Sequence, residues 1–478
     1  LRAPRESRGS NMAETPCRVR RVVVRGNSHT HDSVVRQELL GLKDARTLGE
    51  IGNLCADTIK HLHGLGIFES AEALMDTAPG RSADDLPLSD VIVTVREKER
   101  GLASATTGVH TQSGEGSMDA QVTVRNLLGR AERVDLKMEV GQQKSTAFIL
   151  SAAKPRWLGT DTELTARVTK ESFSHLKHSS FVEKLRTLSL AAVTGQREHG
   201  QQELACELTM RDVSKLPLRT ASWAMLQQRG MSAKASVTHT ATLDRLDHAL
   251  VPTSGYAAKL SNEVTVPLPF GDARFSKHTL SAAAFLPLLP DGLLSLGLSL
   301  SAGLLMPLGA HGSYSTGEQP TPSCVSDRFF LGGANSFRGF RTHGLGPREP
   351  RHAASGVAAA AARSAGARDA VGGEVMNVAT LSLSAPLAGA KLREAGVRAH
   401  LFSSVGGLHA MHTLRGDAGS SAEVAANLMR GTRVCVGAGL LVPTPMGRLE
   451  LSLTKVLKRQ GPNPNPDPNP NPNPTPTA

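Results

Sequence analysis

The sequence predicts a small α+β module followed by an antiparallel β-barrel that crosses a membrane. Three observations carry that prediction. From about residue 101 to residue 459 the hydrophobic period is two, as in strands whose faces meet different surroundings. No stretch approaches the length of apolar run a membrane-crossing helix needs, and the richest ones, near Ala282 and Leu293, are interrupted by Pro, Gly or Ser. The composition, 40% hydrophobic and 20% charged among 478 residues, is that of a folded chain with room for more than one domain. In hydrocarbon every backbone polar group must be paired, and a closed sheet does this without an edge. An aromatic content of 3% is low for a barrel girdled by aromatic rings.

Residues 1–16 are polar and Arg-rich without an apolar stretch, so a disordered start with no secretory signal is expected, with Met12 as a candidate initiator and synthesis in the cytosol. Residues 17–98 read as the α+β module. A strand over 18–25 closes at Gly26-Asn27, and a short helix over 32–40 stops at Gly41. Thr47-Leu48-Gly49-Glu50 predicts a capping box, the hydroxyl accepting from the Glu50 amide and the carboxylate returning to the Thr47 amide. The helix it opens would carry Ile51, Leu54, Thr58, Leu62 and Leu65 on one stripe and end at Gly64 and Gly66. Two strands follow, over 68–75 and 91–95, with Pro79-Gly80 between them.

In residues 101–459, Arg133-Val-Asp-Leu-Lys-Met-Glu-Val140 puts ions on one face and Val134, Leu136, Met138 and Val140 on the other. The Leu294–Leu304 run backs its leucines with Ser and Gly, as an inner barrel wall requires. Similar alternation recurs over 234–244, 380–385, 397–405, 433–440 and 448–453. Units of strand plus turn, roughly 22 residues each, give about sixteen strands. The Ala- and Arg-rich residues 350–371 extend a loop. Residues 460–478 alternate proline with polar residues and are expected to be a disordered tail that cannot pair as a strand.

Other chemistry lacks support. Cys17, Cys55, Cys206, Cys324 and Cys435 are dispersed, so neither disulfide framework nor zinc site is expected. His61 and His63 point to different faces of a helix, which also argues against a metal. Gly141-Gln142-Gln143-Lys144 lacks the glycine a phosphate loop needs before its lysine, and no nucleophile elbow or carboxylate pair suggests an enzyme. The net charge of +11 is spread along strands rather than interleaved with stacking aromatics, so nucleic acid is not an expected partner.

One tract stands apart: Asp327-Arg-Phe-Phe-Leu-Gly-Gly-Ala-Asn-Ser-Phe-Arg-Gly-Phe340. It sets Gly332 and Gly333 ahead of Phe337, Arg338, Gly339 and Phe340. Gly339 lets the backbone turn sharply or approach a wall, and the two phenylalanines flank the cation as apolar anchors. An isolated Arg-Gly-Phe triplet is an ordinary turn. In this setting the tract resembles the sixth-loop signature of the outer-membrane assembly barrels, a superfamily that inserts or moves proteins at bacterial, mitochondrial and chloroplast outer membranes. The β-α-α-β-β order of 17–98, with Leu65-Gly66-Ile67-Phe68 at the second helix exit, resembles one polypeptide-transport-associated (POTRA) domain. A single such unit resembles the mitochondrial branch, the central barrel subunits of sorting and assembly machineries. Arg125-Asn-Leu-Leu-Gly-Arg-Ala-Glu132, Lys154-Pro-Arg156, Leu243-Asp-Arg-Leu-Asp247, Gly344-Leu-Gly-Pro347 and Gly447-Arg-Leu-Glu-Leu451 add to it.

The resemblance implies no covalent chemistry and no cofactor. It implies β-barrel precursor proteins as substrates, pairing with the first barrel strand at a seam between first and last strands, by main-chain hydrogen bonds. Gly101, Leu102, Ala103, Ser104, Gly108 and Val109 would form that edge, its small residues suiting a weakly held strand. Metaxin-like accessory subunits and the lipid bilayer would be the other partners. The mitochondrial outer membrane would be the location, with the POTRA domain in the intermembrane space. Arg338 would be buried in the lumen, with Glu374, Ser382 and Ser404 as candidate acceptors, since Phe402-Ser403-Ser404 lacks the carboxylate that bacterial members carry there. The family has one more strand after the segment matching 448–457, so its last strand is expected to be missing here. The alternative function is a protein-conducting or solute pore of a plastid or bacterial outer membrane.

Overall fold

The structure, a computed structural model, describes residues 14–81, 86–98, 103–112, 115–142, 144–216, 221–266, 273–308, 323–351, 368–415, 421–444 and 447–458. Gly101 and Leu102 of the expected seam strand, most of the Ala-rich insertion and the Pro/Asn tail lie outside them.

The N-terminal module is a three-stranded sheet, β1 (Arg18–Arg25), β2 (Phe68–Arg81) and β3 (Pro87–Glu97), with helices α1 (Asp32–Glu38) and α2 (Leu48–Gly64). β3 lies centrally, parallel to β1 and antiparallel to β2. α1 is shorter than predicted, because residues 40–43 tighten into a 3₁₀ turn that carries Gly41. The cap is half of the predicted box. Thr47 Oγ1 accepts from the Glu50 N–H at 3.2 Å, but the Glu50 carboxylate accepts from the Arg46 N–H at 2.8 Å rather than from Thr47. α2 buries Ile51, Cys55, Thr58 and Leu62, with Leu54 and Leu65 at the margin. They meet Val35, Leu42, Val91 and Val93, and full burial of each such side chain contributes about 1.5–3 kcal/mol. β2 and β3 run past their predicted ends because they pair as a hairpin, so Pro79 and Gly80 fall inside β2, at a register shift between Ala78 and Arg81.

The remaining large sheet has fifteen strands in sequential antiparallel order, from β4 (Ala103–Gln112) through β14 (Ser295–Pro307) to β17 (Val375–Pro386), β18 (Arg398–His409), β19 (Arg433–Thr444) and β20 (Gly447–Lys458). A barrel of about sixteen strands lacking the last was expected, and fifteen are present among the described residues. Between β14 and β17 a long loop carries, as its only strands among the described residues, the short hairpin β15 (Arg348–Pro350) with β16 (Arg368–Ala370). Among the described residues no ladder joins β4 to β20.

Alternation is realised as predicted. On β6 (Arg133–Gly141), Met138 and Val140 are 55% and 60% exposed on the outer face. Inward, Arg133 pairs with Glu163 at 3.1 Å, and Lys137 lies 3.7 Å from Asp119. On β14, Ser295, Gly297 and Gly303 are buried inward while Leu298 and Leu300 face out. The outer surface is thus an apolar band and the inner one polar, as a membrane barrel requires.

The module docks on the turns between β5 (Glu115–Arg125) and β6 and between β7 (Thr146–Lys154) and β8 (Thr162–Ser174). The His31 N–H donates to the Gly129 carbonyl at 2.7 Å, Asn126 Nδ2 donates to Thr30 Oγ1 at 2.9 Å, and Arg156 Nε meets Glu38 Oε1 at 2.5 Å. Gly129 has φ +74°, and a Cβ there would fall 2.4 Å from the His29 carbonyl oxygen, so this close approach needs glycine.

Candidate functional site in the barrel lumen

The long loop between β14 and β17 folds back into the barrel. Gly332 and Gly333 adopt φ of +113° and +108° and start a tight bend. The Phe337 N–H donates to the Gly333 carbonyl and the Gly333 N–H to the Phe340 carbonyl, both at 3.1 Å. Ser336 Oγ donates to the Gly332 carbonyl at 2.9 Å. Phe337 is completely buried and meets Phe340 edge-on at 5.3 Å. Around them lie Leu305, Phe329, Leu331, Phe402, Leu408 and Cys435, a lumenal core joining loop to wall. Gly303 makes room for it, since a Cβ there would stand 2.6 Å from the Phe329 ring.

At the tip, Arg338 lies over the Phe402 ring at 4.9 Å, a cation–π contact, and grips Glu450 with both ends of its fork. Nε is 2.5 Å from Oε1 and Nη2 is 2.8 Å from Oε2. Glu450 also accepts from Ser452 Oγ at 2.9 Å and has His400 Nε2 at 3.6 Å. Gly339 presses the backbone onto β20. Its φ is +84°, and a Cβ would meet Thr454 and Val456 at 3.3 Å.

The structure corrects the expected acceptors. Glu374 serves the root of the loop, accepting from Ser323 Oγ at 2.9 Å and the Met411 N–H at 2.8 Å with Arg328 at 3.7 Å. Ser382 Oγ donates to the Gly297 carbonyl, and Ser404 Oγ bonds Thr380 Oγ1 on the neighbouring strand. None of the three pairs with Arg338, because the loop tip reaches past them to β20. Of the expected seam residues, Ala103, Ser104, Gly108 and Val109 lie on β4, whose only ladder among the described residues is with β5. Gly101 and Leu102 lie outside the described residues.

Sequence reasoning missed three other attachments. Asp327 and Arg211, each with a side chain 4% exposed, form a doubly hydrogen-bonded pair at 2.6 and 2.5 Å. Lys277 Nζ donates to the Asp327 carbonyl at 2.8 Å. Asp369, wholly buried, accepts from Ser180 Oγ at 2.6 Å, the Ser222 N–H at 3.0 Å and Arg351 Nε at 2.6 Å. For Glu450 a signal existed: in 448–453 the alternation sets Arg448, Glu450 and Ser452 inward, making this carboxylate a natural acceptor.

Residues 126–466 match the Omp85 superfamily domain. This chain belongs to the Omp85 superfamily. Among similar Omp85 relatives, the sorting and assembly machinery component 50 homologue of Xenopus tropicalis is 31% identical over 330 residues, 69% of this chain and 66% of that protein. The Homo sapiens homologue is 31% identical over 323 residues, 67% and 64% of the two chains. A SAM50-like protein of Schizosaccharomyces pombe is 26% identical over 452 residues, 92% of this chain and 86% of the relative. The first of these matches therefore spans just under two thirds of the relative's length. BamA from Haemophilus ducreyi lacking POTRA domains 1–3 shares the fold of this Omp85 chain. It superposes with a TM-score of 0.72 at 20% identity, covering 93% of this chain and 81% of that one.

Proposed function

We propose that this chain assembles β-barrel precursor proteins into the mitochondrial outer membrane, using the edge of β4 as a template and the lumenal loop to hold β20 opposite it. The observation that carries the reading is that among the described residues no ladder joins β4 to β20, while the loop is clamped through Arg338 to Glu450 on one of these two sheet ends. An edge strand presents unpaired N–H and C=O groups at regular spacing, and a precursor strand can add to it whatever its side chains. The similarity to sorting and assembly machinery component 50 homologues supports this reading. On it, 17–98 is the POTRA domain, placed in the intermembrane space. Metaxin-like accessory subunits complete the complex.

Liposomes carrying the chain distinguish assembly from conduction. Insertion of a labelled porin precursor into a protease-resistant form, and a disulfide between that precursor's terminal strand and a cysteine placed at Val109, are the expected results. Passage of a soluble protein without precursor insertion would overturn the proposal in favour of a pore.

A further inference from the structure

Outward positions of the barrel are mostly apolar, and on two adjacent strands three cations break that pattern. The register of β8 with β9 (Val182–Thr194) sets Lys170 directly opposite Arg186 and Ser172 opposite Lys184. Parity puts these cations on the same face as Val168 and Leu188, which are 51% and 49% exposed, and therefore on the outer wall. Towards the module the same face continues with Ala166 and Leu164 on β8 and with Leu188 and Leu190 on β9. The cations thus stand at the rim of the apolar band remote from the module.

Opposed like charges on neighbouring strands repel, and lipid contact strengthens that repulsion unless an anion lies between them. Asp212 is 3.9 Å from Lys184, one carboxylate against three cations, and among the described residues Lys170 and Arg186 form no ion pair. The outward Arg245 on β11 (Met231–Leu246) differs. Its guanidinium is occupied by the Glu198 carbonyl at 2.7 Å and the Tyr256 hydroxyl at 3.1 Å.

We propose that Lys170, Arg186 and Lys184 form a headgroup site for an anionic phospholipid, its phosphate between Lys170 and Arg186 and its acyl chains along Val168, Leu188 and Met210. Met210, 55% exposed, is the register partner of Arg186 on the next strand and continues the apolar strip. Long cationic side chains extend along apolar surface to reach phosphates at that level. The assignment rests on the membrane-barrel reading.

The test uses the full chain inserted into phosphatidylcholine bilayers containing a minor fraction of phosphatidylglycerol. The carbonate-resistant fraction is released in mild detergent, and its retained lipid is identified by native mass spectrometry. Wild type is expected to retain phosphatidylglycerol over phosphatidylcholine by roughly tenfold or more after correction for abundance, and K170Q/R186Q to bring that ratio close to one. K455Q, which removes an outward lysine on β20, should leave it unchanged. An inserted wild type without the preference, or a double variant that keeps it, overturns the proposal. Displacement of the lipid by inorganic phosphate would mark a free-anion site and overturn the lipid assignment. If the double variant does not insert, the wild-type ratio and its decline in high salt decide. Extraction of the wild type by carbonate would instead defeat the membrane reading itself, a result distinct from insertion without lipid preference.

Discussion

Arg338 and Glu450 meet although 112 positions separate them, and their worth follows from where they meet. Both side chains are largely withdrawn from water, at 25% and 16% exposure, so a bidentate charged pair contributes about 1.5–3 kcal/mol. Arg338→Ala and Glu450→Gln should each lower the temperature at which the folded form is lost in a gel-shift heat series. The double variant should be little worse than either single one, and Arg341→Ala, exposed beside the motif, should be close to neutral. Asp327→Asn should cost more, about 3–5 kcal/mol, because it leaves the Arg211 guanidinium buried without its counter-charge. The cation at 338 was legible from its glycine and phenylalanine neighbours. Its acceptor was not, because alternation assigns Glu450 to the inner face but gives no height at which the loop tip arrives. Glu374, nearer in sequence, sits at the root of the loop instead.

Among the elements, α2 was legible almost to its ends because a cap and a stripe are local signals. The hairpin of β2 and β3 was under-read, since its outer residues are held by each other and not by their own propensity. Thr47→Ala should cost the isolated module about 1 kcal/mol, read as a lower melting temperature of residues 14–98. The same fragment has a pH signature. The Glu97 carboxylate is opposed by burial, but Ser28 Oγ at 2.6 Å, the Thr30 N–H at 2.7 Å and the His29 N–H at 2.9 Å outweigh it and bring its pKa down to about 2. Hydrogen bonds from Arg20 and Arg21 likewise hold Asp90 below the ordinary carboxylate range. A depressed carboxylate stabilises the fold above its unfolded value and loses that effect as pH falls through the folded one. Melting temperature should therefore fall as pH drops from about 4.5 towards 2, and Glu97→Gln should flatten the fall.

For the whole molecule, period two in the sequence sufficed for a barrel and nearly for its strand number, but not for what fills it. Uniform strand-plus-turn units cannot foresee that one connection folds inward and builds its own core on Phe337 and Leu331. Nor does alternation reveal that the module is fastened to the sheet: Asn126 and Arg156 lie in two tracts that carry the family resemblance, but nothing in those tracts names Thr30 or Glu38 as their partners. Replacing Asn126 and Arg156 by Ala should free the module from the barrel. The distance between spin labels on α2 and on the turn after β7 should broaden, while the heat-series midpoint of the barrel stays within error.

The module grips turns close to β4, and the lumenal loop grips β20, so the two ends of the described sheet are held by different bodies. They resemble two door leaves, each with its own handle. On the proposed seam mechanism, a force or ligand acting on the module acts first on the leaf on the β4 side, and one that loosens Arg338 acts first on the leaf on the β20 side. The width of the opening is then a quantity that two independent inputs set jointly. A chain with one of them cut should still respond to the other.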